Sequence, residues 1–182
     1  RAALRADVPL VAIDHQAFLT TSDFSDLPLA LRGHAAFMGA FVKRWSPEPA
    51  LRVVSSFYRP KLRAGLGAEV RQSGVFVRKA LREASTTRAG FLLAYLRPGV
   101  PERALEVLRR APVEVRLYGR GTGPREGSLV RRAVSESQFI SDLAACDGLV
   151  STAGNQLVGE ALFLGKPVLA APELRNREQE IN

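Results

Sequence analysis

An α/β fold built on parallel sheets is what the sequence predicts, and three observations predict it. From residue 91 to residue 171, short apolar runs alternate with stretches of helical period. The runs carry few polar residues, as strands covered on both faces do. The segment 148–171 spells out one whole unit: apolar strand, Gly154 turn, helix, Gly165 and Pro167 as a stop, then a second strand. Strands joined through helices of about ten residues imply right-handed crossovers and Rossmann-type parallel sheets with helices on both faces.

Taken in order, residues 2–6 read as the end of a helix, and residues 8–13 (VPLVAI) as a buried strand that leads into Asp14-His15-Gln16. A loop rich in Thr, Ser, Asp and Pro runs to Pro28. Leu31, His34, Met38, Phe41, Val42 and Trp45 then recur at helical spacing, as one packed helix face stopped by Ser46-Pro47. Residues 51–55 form a strand, 57–60 a loop, and 69–76, with Gly74, a short strand or linker. Residues 91–96 open a second series, with Arg97-Pro98-Gly99 as a turn and Pro101 suited to the first position of a helix over 101–110. A strand over 113–118, a Gly-rich turn over 119–124 and a strand over 129–134 follow. Ser135-Glu136-Ser137-Gln138 has the capping-box pattern, opening a helix over 135–146. The boundary is expected near residue 80. Residues 1–79 would be the second half of one Rossmann-like domain and 80–182 most of another lacking its end, with both ends of the chain looking cut.

Composition narrows the partners. Apolar content of 46% and charged content of 24% belong to a soluble globular chain, and no apolar run is long enough to span a bilayer. One cysteine, Cys146, excludes a disulfide framework and points to a reducing compartment, the cytoplasm; core packing is its default role. The net charge of +8 comes from 26 basic residues, only four of them lysine. Arginine is a fork for phosphates, so a nucleotide diphosphate, an anionic membrane face and nucleic acid compete. The arginines are dispersed and do not interleave with aromatics, which argues against nucleic acid. A solvated basic surface is the plain account, with peripheral membrane association as its rival.

The chemistry gathers in the last unit. Gly154 lets a ligand approach the backbone, and the helix that follows offers unpaired N–H groups at Asn155 and Gln156, where a diphosphate binds well. Glu160 interrupts an apolar run, and a carboxylate there can accept hydrogen bonds from a ribose diol. Spacing alone leaves open an ordinary βα turn with an exposed Glu160. The 119–123 repeat of glycines opens no apolar helix, so it reads as a flexible surface turn. His15 closes a strand, where α/β sheets place ligand residues, and a structural role is as good a reading on its own. His34 reads as a core or boundary residue.

Residues 151–154 (STAG), 159–167 (GEALFLGKP) and 177–182 (REQEIN) resemble, in order and spacing, the donor-nucleotide signature of GT-B glycosyltransferases of the family 1/28 type. They are also similar to the C-terminal half of the N-acetylglucosaminyltransferases that form lipid II. The resemblance implies that Glu160 binds ribose hydroxyls, Glu178 and Gln179 the donor sugar, and Gly154, Asn155 and Gln156 the diphosphate. Ala153 and Leu157 depart from it, standing where many members carry Gly, Ser or Thr. Residues 73–78 (SGVFVR) are similar to the interdomain element whose arginine approaches the nucleotide, here Arg78; Val75 replaces its proline, and a solvent-exposed Arg78 is the other account. The turn 96–99 would face the phosphates, and backbone near Val134 and Ser135 the base. His15 would stand on the acceptor side, as the candidate for catalysis there.

The function expected is transfer of a sugar from a nucleotide-sugar, a UDP-sugar first among them, to an acceptor hydroxyl. No cofactor is expected beyond that substrate, and no metal, since no Asp-x-Asp pair is present. The acceptor is unspecified, with a lipid- or envelope-linked one at the inner membrane face among the options. A sugar-nucleotide 2-epimerase on the same fold and a non-catalytic nucleotide- or partner-binding module are the alternatives. The segment that usually supplies the general base is not in the chain, so weak or absent turnover is expected from the chain alone.

Overall fold

The structure, a computed structural model, describes residues 8–46 and 48–181. The helix end expected at residues 2–6 and the stop at Pro47 lie outside them. The chain divides into two compact units, one running to Phe76 and including Ile181, the other running from Val77 to Glu180.

The first unit carries a parallel sheet in the order β1 (Val11–Asp14), β2 (Leu51–Ser55), β3 (Val70–Ser73). A short helix, α1 (Phe18–Thr21), and a long one, α2 (Leu29–Trp45), join β1 to β2. Phe18, Leu19, Ala35 and Val54 form the centre of the core. The expected burial of residues 8–13 is not found: Val11 is 53% and Ile13 57% exposed, because β1 lies at the edge of the three strands. The packed face of α2 also differs. Leu31, Met38 and Val42 turn inward with Ala35 and Gly39, while Phe41 and Trp45 turn outward. The helix is apolar almost all round, so period alone could not choose between its faces.

The second unit holds a five-stranded parallel sheet in the order β6-β5-β4-β7-β8. Its strands are β4 (Phe91–Tyr95), β5 (Glu114–Tyr118), β6 (Leu129–Arg131), β7 (Gly148–Ser151) and β8 (Val168–Ala170). Between them run α4 (Glu102–Arg109), α5 (Glu136–Ala145) and α6 (Asn155–Phe163); α3 (Lys79–Arg82) precedes the sheet and α7 (Arg177–Ile181) follows it. One core side collects Leu93, Tyr118, Leu143 and Leu149, the other Leu96, Leu105, Leu117 and Leu129. Each such leucine contributes on the order of 2 kcal/mol of transfer free energy. The predicted α/β class with parallel sheets flanked by helices is therefore what the chain forms.

Several buried polar groups of this unit are paired, although Arg120 Nε and Arg132 Nε are buried without a hydrogen-bond partner among the described residues. Asp142, buried on α5, accepts from Arg116 Nη1 at 2.7 Å, Tyr118 Oη at 2.6 Å and Gln138 Nε2 at 3.0 Å. Burial, and then the Asp142 carboxylate, push the Tyr118 hydroxyl far above its ordinary pKa. Because Gln138 turns to Asp142, only half of the expected capping box forms: Ser135 Oγ accepts from Gln138 N at 3.5 Å, with no return bond. Lys166 is also buried, its ammonium donating to the carbonyls of Thr87 at 2.6 Å and Cys146 at 2.7 Å. Cys146 takes its default role in the core, and burial raises its thiol pKa.

One expectation about the last βαβ unit needs correction. β8 was expected to be covered on both sides, yet it is an edge strand with Leu169 65% exposed. On α6, Leu162 faces out while Val158, Gly159, Glu160 and Ala161 are the buried stretch. The Gly-rich turn after β5 is tied rather than free. Gly119 has φ +85°, and a Cβ there would lie 2.9 Å from the Leu96 carbonyl oxygen. Arg120 donates to the Val100 carbonyl at 2.7 Å.

Candidate functional site

Numbered along the second unit, its strands run in the order 3-2-1-4-5, so the chain reverses its direction of winding between β4 and β7. At such a switch point the loops leaving the carboxyl ends diverge and open a crevice. Tyr95 pairs with Ser151 across these strands, which brings the turn 96–99 beside the turn 152–154.

The second of these turns leads into α6. Ala153 adopts φ +58°, a left-handed conformation uncommon for a residue with a side chain. Gly154 caps the helix in extended conformation at φ −70°, with no side chain to satisfy the first N–H groups. Neither backbone nor packing demands glycine there, since a Cβ on Gly154 would meet nothing within 4 Å. The position is exposed, so the absent side chain leaves space above the helix N-terminus. That terminus carries partial positive charge and suits an anion. Asn155 and Gln156 form the first turn.

Glu160 lies one turn further along and is 1% exposed. Its carboxylate is gripped by a fork from Arg78, with Nε donating to Oε1 at 2.9 Å and Nη2 to Oε2 at 2.8 Å. The backbone N–H of Arg78 donates to Oε1 at 3.4 Å, and Gln156 Nε2 to the same oxygen at 2.9 Å. Arg78 in turn sits 3.6 Å from Glu136 and over the Phe139 ring. Glu160, acting as acceptor and counter-charge, raises the Arg78 pKa above its usual value. Three residues read from the sequence as separate ligand groups, Arg78, Gln156 and Glu160, are thus brought into one bonded cluster. Ser135 stands beside it as the cap of α5, next to Glu136. With four donors on Glu160, contact with a ribose diol requires Arg78 or Gln156 to give way. Glu160 is therefore not exposed, and Arg78 is bound to it while its side chain keeps partial contact with solvent.

A second cluster forms after β8. Gln179 is buried, and its side chain donates to Glu173 Oε2 at 3.0 Å and accepts from the Glu173 N–H at 2.8 Å. Glu173 also accepts from Gly99 N at 3.2 Å and pairs with Arg97 at 3.6 Å. A Cβ on Gly99 would come within 2.6 Å of Glu173 Oε1, so the turn after β4 and the segment after β8 fit closely. Gln179 is thereby joined to a loop acid, while Glu178 is half-buried on α7. Sequence reasoning missed Glu173, although it follows a strand end and Pro172, the same signal that singled out His15.

In the first unit, His15 leaves the carboxyl end of β1 and its Nδ1 lies 2.8 Å from the Ser55 carbonyl oxygen. A carbonyl only accepts, so Nδ1 carries a proton and donates it to this bond. The ring stacks on Phe18 at 4.6 Å, and Nε2 has no hydrogen-bond partner among the described residues. His34 is half-buried on α2, consistent with a boundary position. Among the described residues no three His, Cys, Asp or Glu side chains converge on a point that could hold a metal ion.

A family model described as glycosyl transferase family 1 matches residues 1–182. Comparison with curated proteins gives no match. Among solved structures the chain is similar to spinosyn rhamnosyltransferase SpnG, at 18% identity and a TM-score of 0.47, with 94% of this chain and 50% of that one covered. It is likewise similar to that rhamnosyltransferase complexed with spinosyn aglycone, at 20% identity with the same TM-score and coverage. The chain therefore spans about half the length of these structures. Since the family match extends over every residue of the chain, the chain belongs to glycosyl transferase family 1.

Proposed function

We propose that the second unit holds a nucleotide-sugar, a UDP-sugar in the first instance, and that the protein transfers the sugar to an acceptor hydroxyl without a metal. The observation that carries this reading is Gly154: a glycine that neither conformation nor packing requires, at the head of α6 and at the switch point of the sheet. A diphosphate seated there would meet the N–H groups of Asn155 and Gln156. In transfer, the anomeric carbon exchanges its phosphate oxygen for the acceptor oxygen, and the acceptor proton passes to a base. Negative charge grows on the departing diphosphate, which a helix N-terminus stabilises without moving.

The other residues divide around this point. Arg78 and Gln156 would read the nucleotide while Glu160 holds them in place. A ribose contact by Glu160 itself would follow exchange with the Arg78 fork. The segment of Glu173, Glu178 and Gln179 would face the sugar, and the backbone by Ser135 the base. On the acceptor side, His15 at the carboxyl end of β1 is the candidate to receive the proton.

Thermal melting against UDP-, GDP- and dTDP-sugars tests the reading. A ligand at about a hundred times its Kd stabilises by roughly 2.7 kcal/mol, so the matching donor raises the Tm visibly. Gly154→Val should lower the unliganded Tm only modestly, because the added side chain enters open space and costs only N-cap preference, and should abolish the ligand-induced rise. A wild-type chain indifferent to every nucleotide-sugar, or a Gly154→Val variant that responds normally, would overturn it.

A further inference from the structure

The turn that leaves β4 is braced from both sides. Towards β5, the Leu96 carbonyl packs against Gly119, and the Val100 carbonyl accepts from Arg120 Nη2 at 2.7 Å. Towards β8, Glu173 Oε1 accepts from Gly99 N at 3.2 Å. The turn also closes on itself, Val100 N donating to the Arg97 carbonyl at 3.1 Å. Because β7 lies between β4 and β8, the Gly99–Glu173 contact spans the mouth where the chain leaves β7 towards Gly154. Thr152 and Ala153, on that stretch, are buried. The backbone at the switch point is therefore fixed, and what it presents beside the head of α6 is set by its side chains.

Of the turns 96–99 and 152–154, only the first carries a charge, and that charge is Arg97. Its guanidinium is not engaged by the fold. Nη1 stands 3.6 Å from Glu173 Oε2, too far for a hydrogen bond, and the side chain is 58% exposed. Such an open pair adds little to stability. Nor does Glu173 depend on it, since Oε2 already accepts from Gln179 Nε2 at 3.0 Å and Asn176 Nδ2 at 3.3 Å. Arg78 is the opposite case, its fork closed on the buried Glu160. A firmly held backbone that carries an open guanidinium, next to a helix N-terminus, suits a group on which negative charge develops.

We propose that Arg97 is a catalytic residue of the transfer, donating to the non-bridging oxygens of the donor's diphosphate. As the acceptor oxygen bonds to the anomeric carbon, the bond from that carbon to the phosphate oxygen breaks and its electron pair leaves with the diphosphate. Arg97 stabilises that charge and gives up no proton. The proposal rests on the nucleotide-sugar reading of the second unit. Calorimetry with the diphosphate, monophosphate and nucleoside of uracil, guanine and thymine tests it, because each series keeps its base and changes only the phosphates. Arg97→Gln should weaken binding of the matching diphosphate by at least about tenfold. Affinity for its nucleoside should stay the same, and the unliganded Tm nearly so. Arg97→Lys should recover part of the loss, since it keeps the charge and lacks the fork. If the wild type binds a diphosphate and Arg97→Gln binds it equally well, this assignment falls and the donor site stands. Equal losses for diphosphate and nucleoside would also overturn it, by making Arg97 a support of the fold. A wild type that binds none of the three series would overturn the donor reading, and Arg97 with it.

Discussion

Glu160 illustrates why a buried charge is read through its partner. Its oxygens lie within 3 Å of an arginine fork and a glutamine amide, and only 1% of the residue is exposed, whereas the Arg78 side chain remains about a third exposed. The asymmetry sets the expected mutational costs. Arg78→Ala strands a buried carboxylate and should cost roughly 3–5 kcal/mol. Glu160→Gln leaves a cation that can still reach water and should cost markedly less. Replacing both by Met should recover much of the Arg78→Ala loss, since apolar isosteres of buried pairs are often tolerated. Urea unfolding of the three variants checks this, and equal costs for the two single changes would contradict it. The acid itself was legible, because it breaks an apolar run. Its partner was not, because Arg78 lies 82 positions away and local spacing carries no trace of such a pairing.

At the scale of elements, the last βαβ unit was the most legible part, since its glycines and proline punctuate it. What failed there was exposure. β8 and Leu162 are as apolar as buried residues are, but sequence cannot say which strand ends a sheet. The same limit explains β1, and the two candidate faces of α2. The glycines of the second unit separate by role once their surroundings are known. Gly119 is fixed by positive φ and by the Leu96 carbonyl, so Gly119→Ala should destabilise by about 1–3 kcal/mol. Gly154→Ala, with ordinary φ and open space, should lose only the N-cap preference of glycine over alanine, about 0.5–1 kcal/mol. Melting curves of the two variants would test this; a Gly154→Ala loss as large as that of Gly119→Ala would refute the distinction. Had the spacing of glycines been the only guide, the 119–123 turn would have passed as the looser of the two.

For the whole molecule, alternation of strand and helix was enough to reach the α/β class and the presence of parallel sheets. Strand order was not written in the sequence, and with it the switch point between β4 and β7 stayed hidden. The buried ammonium of Lys166 has a use at this scale. Lys43, Lys61 and Lys79 are open to solvent, while Lys166 is held by two carbonyl oxygens in the interior of the second unit. An acylating reagent should therefore modify three lysine side chains within minutes and reach the fourth only when that unit opens. Mass spectrometry of the intact chain under increasing denaturant would count these additions directly, and early acylation of Lys166 would contradict its enclosure. A single native side chain thus serves as a built-in clock for unfolding.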